Sequence, residues 1–352
     1  MKGDMKLLDY QISAIHAVRE YAKEKHASSH AFVESICKPF NVDVNILVHR
    51  VLSNSITINF HPDRLSNNGK TIIESLTTQG LYHGQFRTGT TNGGASAYIG
   101  GDRFLWEQRL FFDAYPQSSL DRPKYGALNL FRYIDGASSR FGSCFFSLKN
   151  EVRERCTFSY GDSSTNPDIL CTHDTFVNIL AGIINDVQQK HRLLNQVIAT
   201  EQEALAILSN PCSEVRHLGR NLDYCIETHV HGDISLAEDV ESFYVDESFF
   251  GTSIETMAKE LCHKYDIRLE WTPKRQVNVA NIEGLFRGPK IPLLARRIDA
   301  LFGRHEGIIN AALIGEASCN SLLNPEAWHD IGSEQEAFQY FKQLWHTVAF
   351  MG

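Results

Sequence analysis

The sequence has no basic excess, no long apolar run and no paired cysteines. Its 352 residues carry 34 Lys and Arg against 42 Asp and Glu, a net charge of −8, which disfavours proteins that bind nucleic acid by neutralising its phosphates. The longest apolar stretch, Phe176 to Ile184, has nine residues interrupted by Asn178, whereas a membrane-spanning helix needs about 18 or more. The eight cysteines show no CxxC spacing, which predicts scattered reduced thiols rather than a zinc site or a disulfide framework.

The chain does contain enough apolar material for a large core. Apolar residues make up 43% and charged residues 22% of the sequence, as in globular proteins. Met1–Leu8 is charged but no apolar stretch follows it, so we predict no Sec-type signal peptide. No long apolar heptad repeat is present, and we predict a monomer without a nucleic-acid or membrane partner.

The periodicity of the apolar residues divides the chain into three regions. Residues 1–54 show helical spacing with breaks at Ser28–Ser29 and Pro39, which predicts an N-terminal helical region. Residues 55–290 mix short strands, long loops and helices, and residues 291–352 are helical again. The pattern therefore predicts an α+β fold, with a mixed, mainly antiparallel sheet between two helical regions.

Two segments of the central region have clear periods. The apolar residues from Phe176 to Leu208 have helical spacing, which predicts helix as far as Asn210–Pro211. Ser55 to His61 alternates between apolar and polar side chains, which predicts a half-buried strand.

The most informative strand runs from Tyr224 to His231. Alternate positions of a strand project to the same face, so Glu227, His229 and His231 share one face. Two chemistries fit this trio. The imidazoles can bind a metal ion with Asp233 or Glu227 as a further ligand. Alternatively, the carboxylate can stabilise an oxocarbenium-like centre and accept a hydrogen bond from a ribose hydroxyl during glycosidic bond cleavage.

Three loops carry residue types that suit an anionic ligand. Arg64 follows the strand that ends near His61, where a guanidinium can bind a phosphate with two hydrogen bonds. The stretch 85–94 is rich in Gly, Thr and Asn, which let backbone amides and hydroxyls approach a ligand closely, although it matches neither GxxxxGK[ST] nor GxGxxG. Arg122 and Tyr125 flank a turn and suit stacking on a base and holding a phosphate.

Six longer strings carry a resemblance to a known family. They are NFHPDR, QFRTGTTNGG, RPKYGALNL, RFGSCFF, IETHVHGD and FRGPKIPLLARRI. Together they resemble a bacterial domain family with type III effectors that ADP-ribosylate ubiquitin on a threonine, and the similarity spans about residues 50–310. The order of an Arg at a strand exit, a Ser/Thr-rich loop and a Glu on a later strand is also similar to that of ADP-ribosyltransferases.

This resemblance implies an ADP-ribosyltransferase-like split mixed sheet, NAD as substrate, and a secreted effector that acts in the host cytoplasm. It implies Glu227 as the catalytic carboxylate, and His229 or His231 would take the proton of the acceptor. The acceptor would be a hydroxyl, a threonine of host ubiquitin, since position 225 is Cys where arginine-modifying enzymes carry Glu or Gln. The residues predicted to bind NAD are His61, Arg64, Phe86, Thr88, Gly89, Thr90, Asn92, Gly93, Arg122 and Tyr125.

Acidic residues cluster around and after the Glu227 strand. Residues 213–270 hold thirteen acids against five bases, and residues 233–247 hold six acids and no base. This segment is either a solvated face or a surface that meets a basic protein partner, the ubiquitin of the resemblance. Two rival functions stay open. One is a metal-dependent hydrolase built on His61, His229, His231 and Asp233, and the other is a non-catalytic module that binds ubiquitin or a nucleotide.

Overall fold

The computed structural model describes residues 7–66, 68–89, 97–210, 219–220 and 222–352. The helices within them are α1 Asp9–Cys37, α2 Val44–Leu52, α3 Ile72–Gln79, α4 Gln85–Thr88, α5 Asp102–Leu110, α6 Val177–Lys190, α7 Glu201–Ser209, α8 Leu236–Asp239, α9 Ser253–Tyr265, α10 Gly284–Arg287, α11 Lys290–Leu301, α12 Ala311–Leu323 and α13 Glu334–Met351. The strands of the large sheet are β1 Ile56–Phe60, β2 Lys124–Leu128, β3 Cys144–Leu148, β4 Cys156–Tyr160, β5 Leu170–Thr172, β6 Ile226–Val230, β7 Val240–Asp246 and β8 Arg268–Thr272. Short strand pairs join Leu81–Tyr82 to Ile234–Ser235, Arg192–Leu193 to Gln196–Val197, and Gln276–Asn278 to Ile308–Asn310.

The fold is a mixed α/β arrangement around this large sheet. In the described residues, its eight strands join in the order β8-β7-β3-β1-β2-β6-β4-β5. β7 and β8 are parallel, and the other neighbouring pairs are antiparallel. The predicted mixed, mainly antiparallel sheet is therefore confirmed.

β1 and β2 separate towards the carboxyl end of β1. Within the described residues, Thr57 is the last residue of β1 that pairs with β2, opposite Ala127, whereas β1 stays paired with β3 as far as Phe60. Gly126 lies at the point of separation, where a Cβ would come within 2.6 Å of the Thr57 carbonyl oxygen. The sheet is consequently open between these two strands beyond that point.

Two predicted helix boundaries are wrong. α1 continues through Ser28–Ser29, where the Ser28 hydroxyl donates to the carbonyl of Lys25 at 2.9 Å, because packing against the rest of the fold outweighs the low helix propensity of serine. The helix predicted from Phe176 onward ends at Lys190. His191 then adopts the left-handed conformation, with φ of 51°, and a short hairpin precedes α7.

The N-terminal and C-terminal helical regions share one apolar core with the sheet. Ala22 and Val33 of α1 belong to the same buried cluster as Leu180 of α6 and Trp345 of α13. Burial of such side chains contributes about 1.5–3 kcal/mol each, so both helical regions are held to the sheet by the hydrophobic effect. None of the described helices has the length and apolar character needed to span a bilayer.

Candidate functional site

A cleft opens where β1 and β2 separate. One part of it, of about 130 Å³, is lined by Asn59, Tyr125 and Glu227 among others. The adjoining part, of about 310 Å³, is lined by Phe60 and Arg64 among others. The residues that line both parts are Tyr82, His83 and Gln85. Glu227 and Arg64 therefore line two neighbouring cavities that share three side chains and together make up the cleft.

Glu227 lies on β6. One of its carboxylate oxygens is hydrogen-bonded within the protein, and the other has no hydrogen bond among the described residues. The residue is 7% exposed. Its Oε1 accepts hydrogen bonds from Nε2 of His229 at 3.0 Å and from the backbone N–H of Ser163 at 3.3 Å. Among the described residues, no hydrogen bond to Oε2 is formed. This oxygen is available to a hydroxyl group of a ligand in the cleft.

A chain of hydrogen bonds leads from Glu227 into the core. His229 Nδ1 lies 3.0 Å from the Thr157 hydroxyl, which lies 3.0 Å from Nε2 of His231, and Nδ1 of His231 lies 2.6 Å from the Tyr115 hydroxyl. A carboxylate can only accept, so His229 donates to Glu227 through Nε2; in the neutral tautomer its Nδ1 then accepts from the Thr157 hydroxyl. If both imidazoles are neutral, Tyr115 donates to His231, His231 to Thr157 and Thr157 to His229, so every donor in the chain faces Glu227. Hydrogen bonds aligned in this way strengthen one another.

The ring nitrogens of both histidines are therefore hydrogen-bonded within the protein, and neither histidine lines the cleft. Both have zero exposure. Burial, with a smaller effect of nearby cationic groups, holds the pKa of His231 well below its usual value, and burial raises the pKa of Tyr115 well above its usual value. This arrangement runs against the predicted role of His229 or His231 as a base for an acceptor, because no ring nitrogen of either is free.

A buried charge cluster on α5 supports the other wall of the cleft. Glu107 has zero exposure, and it accepts hydrogen bonds from Arg103 at 3.0 Å, from the Tyr125 hydroxyl at 3.0 Å and from Arg122 at 3.1 Å. The Arg103 guanidinium lies 4.1 Å from the centre of the Tyr125 ring and lines the cleft together with Glu227. Burial opposes the charged form of Arg103, but Tyr125, Glu107 and Glu227 outweigh it and raise its pKa.

Four residues of the site carry no useful sequence signal: Arg103, Glu107, Tyr115 and Thr157. Arg103 and Glu107 are four residues apart, a spacing that by itself indicates an exposed ion pair on a helix. Tyr115 and Thr157 are common residue types of a protein core, and only the tertiary packing brings them to the histidines of β6.

Arg122, which the sequence predicts to bind NAD, lies in the buried cluster around Glu107. It is 1% exposed because the buried carboxylate of Glu107 holds it inside. Its guanidinium lies 5.0 Å from the centre of the Phe86 ring and 4.5 Å from that of Phe104. Neither Arg122 nor Phe86 lines the cleft. Of the predicted NAD contacts in this region, Tyr125 does line it.

Arg64 lies just beyond β1, and its neighbour Asp63 helps to fix it. Nη1 of Arg64 donates to Oδ1 of Asp63 at 3.4 Å. Burial raises the pKa of Asp63, although Arg64 acts in the opposite direction. A side chain on Gly315 of α12 would overlap the Asp63 carboxylate, so only glycine leaves room for it at this position.

The other predicted NAD contacts are divided between the cleft and other places. The His61 ring packs edge-on against Trp345, with centres 5.1 Å apart, and His61 does not line the cleft. Thr88 lines the larger part of the cleft, and Gly89 ends α4 in the left-handed conformation, with φ of 65°. Thr90, Asn92 and Gly93 lie outside the described residues.

Several acids of the segment 233–247 are paired within the fold. The pairs are Asp233 with Lys124 at 3.3 Å, Asp239 with Arg155 at 2.8 Å and Glu241 with Arg268 at 3.1 Å. These pairs leave less negative charge for a basic protein partner than the sequence alone suggests.

The residues of the metal-site alternative do not converge. His61 and Asp233 lie in the separate contacts described above, while His229 and His231 share the hydroxyl of Thr157. Across the described ranges, no three His, Cys, Asp or Glu side chains are arranged to hold a metal ion. The geometry of the ligands therefore gives this alternative no support.

Comparison with curated proteins finds no match. A family model described as "Protein of unknown function (DUF3626)" matches residues 55–350. The match begins at residue 55, where the sequence predicts the core to begin, and it includes Arg64 and Glu227. Since it covers most of the chain, the protein belongs to the DUF3626 family.

Proposed function

We propose that this protein is a mono-ADP-ribosyltransferase that moves ADP-ribose from NAD to a protein hydroxyl. The observation that carries the proposal is Oε2 of Glu227, which has no donor among the described residues and lies in a cleft that continues to Arg64. The resemblance described above extends the proposal to a threonine of host ubiquitin as the acceptor and to an exported bacterial effector that acts in the host cytoplasm.

The cleft has charge and shape that suit a dinucleotide. Among the described residues, the Arg64 guanidinium donates only to Asp63, at 3.4 Å, and a guanidinium has five N–H groups, so most of them can donate to phosphate oxygens. Tyr125 offers an aromatic wall next to Glu227, where a nicotinamide ring can pack. The separation of β1 from β2 agrees with the split sheet that the resemblance implies.

Glu227 is the catalytic residue in this proposal. Its Oε2 accepts a hydrogen bond from a ribose hydroxyl and stabilises the positive charge that develops as the bond from the sugar carbon to nicotinamide breaks. Nicotinamide leaves with the bonding electrons, and the acceptor oxygen bonds to the same carbon. The acceptor proton passes to the Glu227 carboxylate, because the ring nitrogens of His229 and His231 are engaged in the core.

His229 acts here as a positioning residue. It donates to Oε1 of Glu227, which fixes the rotation of the carboxylate and aims Oε2 at the cleft. Thr157, His231 and Tyr115 hold the imidazole in the tautomer that can donate. Such preorganisation avoids reorientation of the carboxylate during the reaction.

The test is incubation of the protein with labelled NAD and ubiquitin, followed by mass spectrometry of the acceptor. We expect ADP-ribose on a threonine, together with release of nicotinamide. Glu227→Gln should lower the rate by at least about 100-fold without lowering the melting temperature. Glu260→Gln, a matched change at an exposed position of α9, should leave the rate unchanged.

A non-catalytic NAD-binding module makes the opposite prediction for nicotinamide. Isothermal titration calorimetry would then detect NAD binding, while no acceptor, ubiquitin included, would lead to NAD consumption. Bound NAD without release of nicotinamide would contradict the transferase and favour the binding module.

A further inference from the structure

α13 presents two basic side chains on one face, outside the site described above. Lys342 and His346 are four residues apart, so they are neighbours on the helix surface. The Trp345 indole N–H donates to the carbonyl of Ser139 at 2.9 Å. This contact holds the helix against the turn that carries Arg140.

α10 adds a third base to the same place. Its Phe286 stacks on Phe350, one helical turn after His346, with ring centres 4.7 Å apart. The stacking holds α10 against α13, and the charge of Arg287 lowers the pKa of both Lys342 and His346. Three basic side chains from two helices therefore lie near one another.

Several nitrogen atoms of these side chains have no hydrogen-bond partner among the described residues. His346 is only 7% exposed, and neither of its ring nitrogens has a hydrogen-bond partner among the described residues. Nε of Arg287 is also buried and unpaired, and Lys342 has no ion pair within the part of the chain that the structure describes. Buried polar groups without partners are unfavourable by about 1–3 kcal/mol each, which a suitable ligand would offset.

Five charged groups of the described residues carry one net positive charge between them. Arg140 pairs with Asp162 at 2.8 Å and with Asp223, so these three groups together carry one negative charge. Arg287 and Lys342 add two positive charges. One carboxylate balances the positive charge that remains among these five groups.

Burial and nearby cations lower the pKa values of Lys342 and His346. Burial, together with the charges of Arg140 and Arg287, lowers the pKa of Lys342 to about 8. Burial and the charges of Arg287, Lys342 and Arg140 lower the pKa of His346 to about 3. A bound carboxylate would reverse the electrostatic part of both effects.

We propose that Arg287, Lys342 and His346 form a binding site for a carboxylate group. The guanidinium and the ammonium supply charged hydrogen bonds, and the imidazole N–H supplies a third donor. Arg140 also lines the cleft that contains Glu227, so the carboxylate site borders that cleft. The carboxylate comes from an acidic side chain of a protein acceptor or from a small acid.

The direct test is an NMR titration of full-length protein labelled with ¹³C at the histidine ring Cε1. The probe is N-acetylglutamate amide at constant ionic strength, and the His346 signal is identified by its loss in His346→Asn. We expect saturable binding that Lys342→Met and Arg287→Met each weaken at least tenfold. Arg296→Met, at an exposed position of α11, should bind like the wild type, and N-acetylglutamine amide should not bind.

Stability separates ligand binding from a structural role. Lys342→Met keeps the apolar stem and removes an unpaired charge, so its melting temperature should equal or exceed that of the wild type while binding is lost. Three outcomes would overturn the proposal: equal binding of the uncharged amide, tighter binding of inorganic phosphate than of the carboxylate, or unchanged binding in both variants.

The source of the carboxylate is tested separately, and this arm rests on the proposed function. If the acceptor protein supplies it, Lys342→Met should raise the KM for ubiquitin at least fivefold and leave the KM for NAD unchanged. An unchanged KM for ubiquitin assigns the site to a small acid. If no transfer occurs at all, the proposed function fails, whereas the NMR titration still decides whether the carboxylate site exists.

Discussion

Replacing Thr157 by valine tests the hydrogen-bond chain behind Glu227. Valine has the shape of threonine without the hydroxyl, so the packing in the core is nearly conserved. The change removes both bonds that the hydroxyl makes, to Nδ1 of His229 and to Nε2 of His231, each 3.0 Å long. Two nitrogens on fully buried rings would then have no partner.

The size of the effect follows from these two nitrogens. Each unpaired buried polar group costs about 1–3 kcal/mol, so Thr157→Val should lower the free energy of unfolding by about 2–6 kcal/mol. For a chain of 352 residues, an unfolding entropy of about 2.1 cal/mol/K per residue converts each kcal/mol into about 1.4 °C. The melting temperature should therefore fall by about 3–8 °C.

The assay is thermal and urea-induced unfolding followed by circular dichroism. Thr228→Val is the matched control, because Thr228 is equally buried on β6 and its hydroxyl has no partner among the described residues. This control should be as stable as the wild type or more so. Equal stability of Thr157→Val and the wild type, or an equal loss in both variants, would refute the hydrogen-bond chain.

Three further predictions follow from buried groups. The pKa of His231 is lowered in the folded protein, so its neutral ring contributes fully to stability above about pH 6.5, the pKa of an unfolded histidine. Below that pH, the free energy of unfolding should fall by about 1.4 kcal/mol per pH unit. In His231→Gln, the free energy of unfolding should change less between pH 7 and pH 5. Gly315→Ala, which in an open helix would stabilise by about 1 kcal/mol, should displace Asp63, lower the melting temperature and raise the KM for NAD. Arg122→Met should destabilise by about 3–5 kcal/mol because it leaves Glu107 short of a partner, and an unaltered melting temperature would show that Arg122 is not structural.

Parts of the fold are predictable from short-range patterns. The alternation from Tyr224 to His231 predicts β6, which the structure has over Ile226–Val230, because a strand with two distinct faces leaves a period of two in the sequence. The break after Lys190 is not predictable in this way, since apolar residues continue with helical spacing through the hairpin. Only the left-handed conformation at His191 ends the helix.

The site is less predictable than the strands that carry it. The sequence places Glu227, His229 and His231 on one face, but it does not show that this face lies inside the protein. Whether a histidine meets a ligand or a buried hydroxyl depends on Thr157, about seventy residues earlier in the chain, and such long-range contacts leave no pattern in one sequence.

The opening between β1 and β2 is a property of the main chain. It results from the separation of the two strands at Gly126. His83 lines both parts of the cleft, so it can be exchanged to alter ligand preference, or to seat an inhibitor, while the main chain keeps the same separation of the strands.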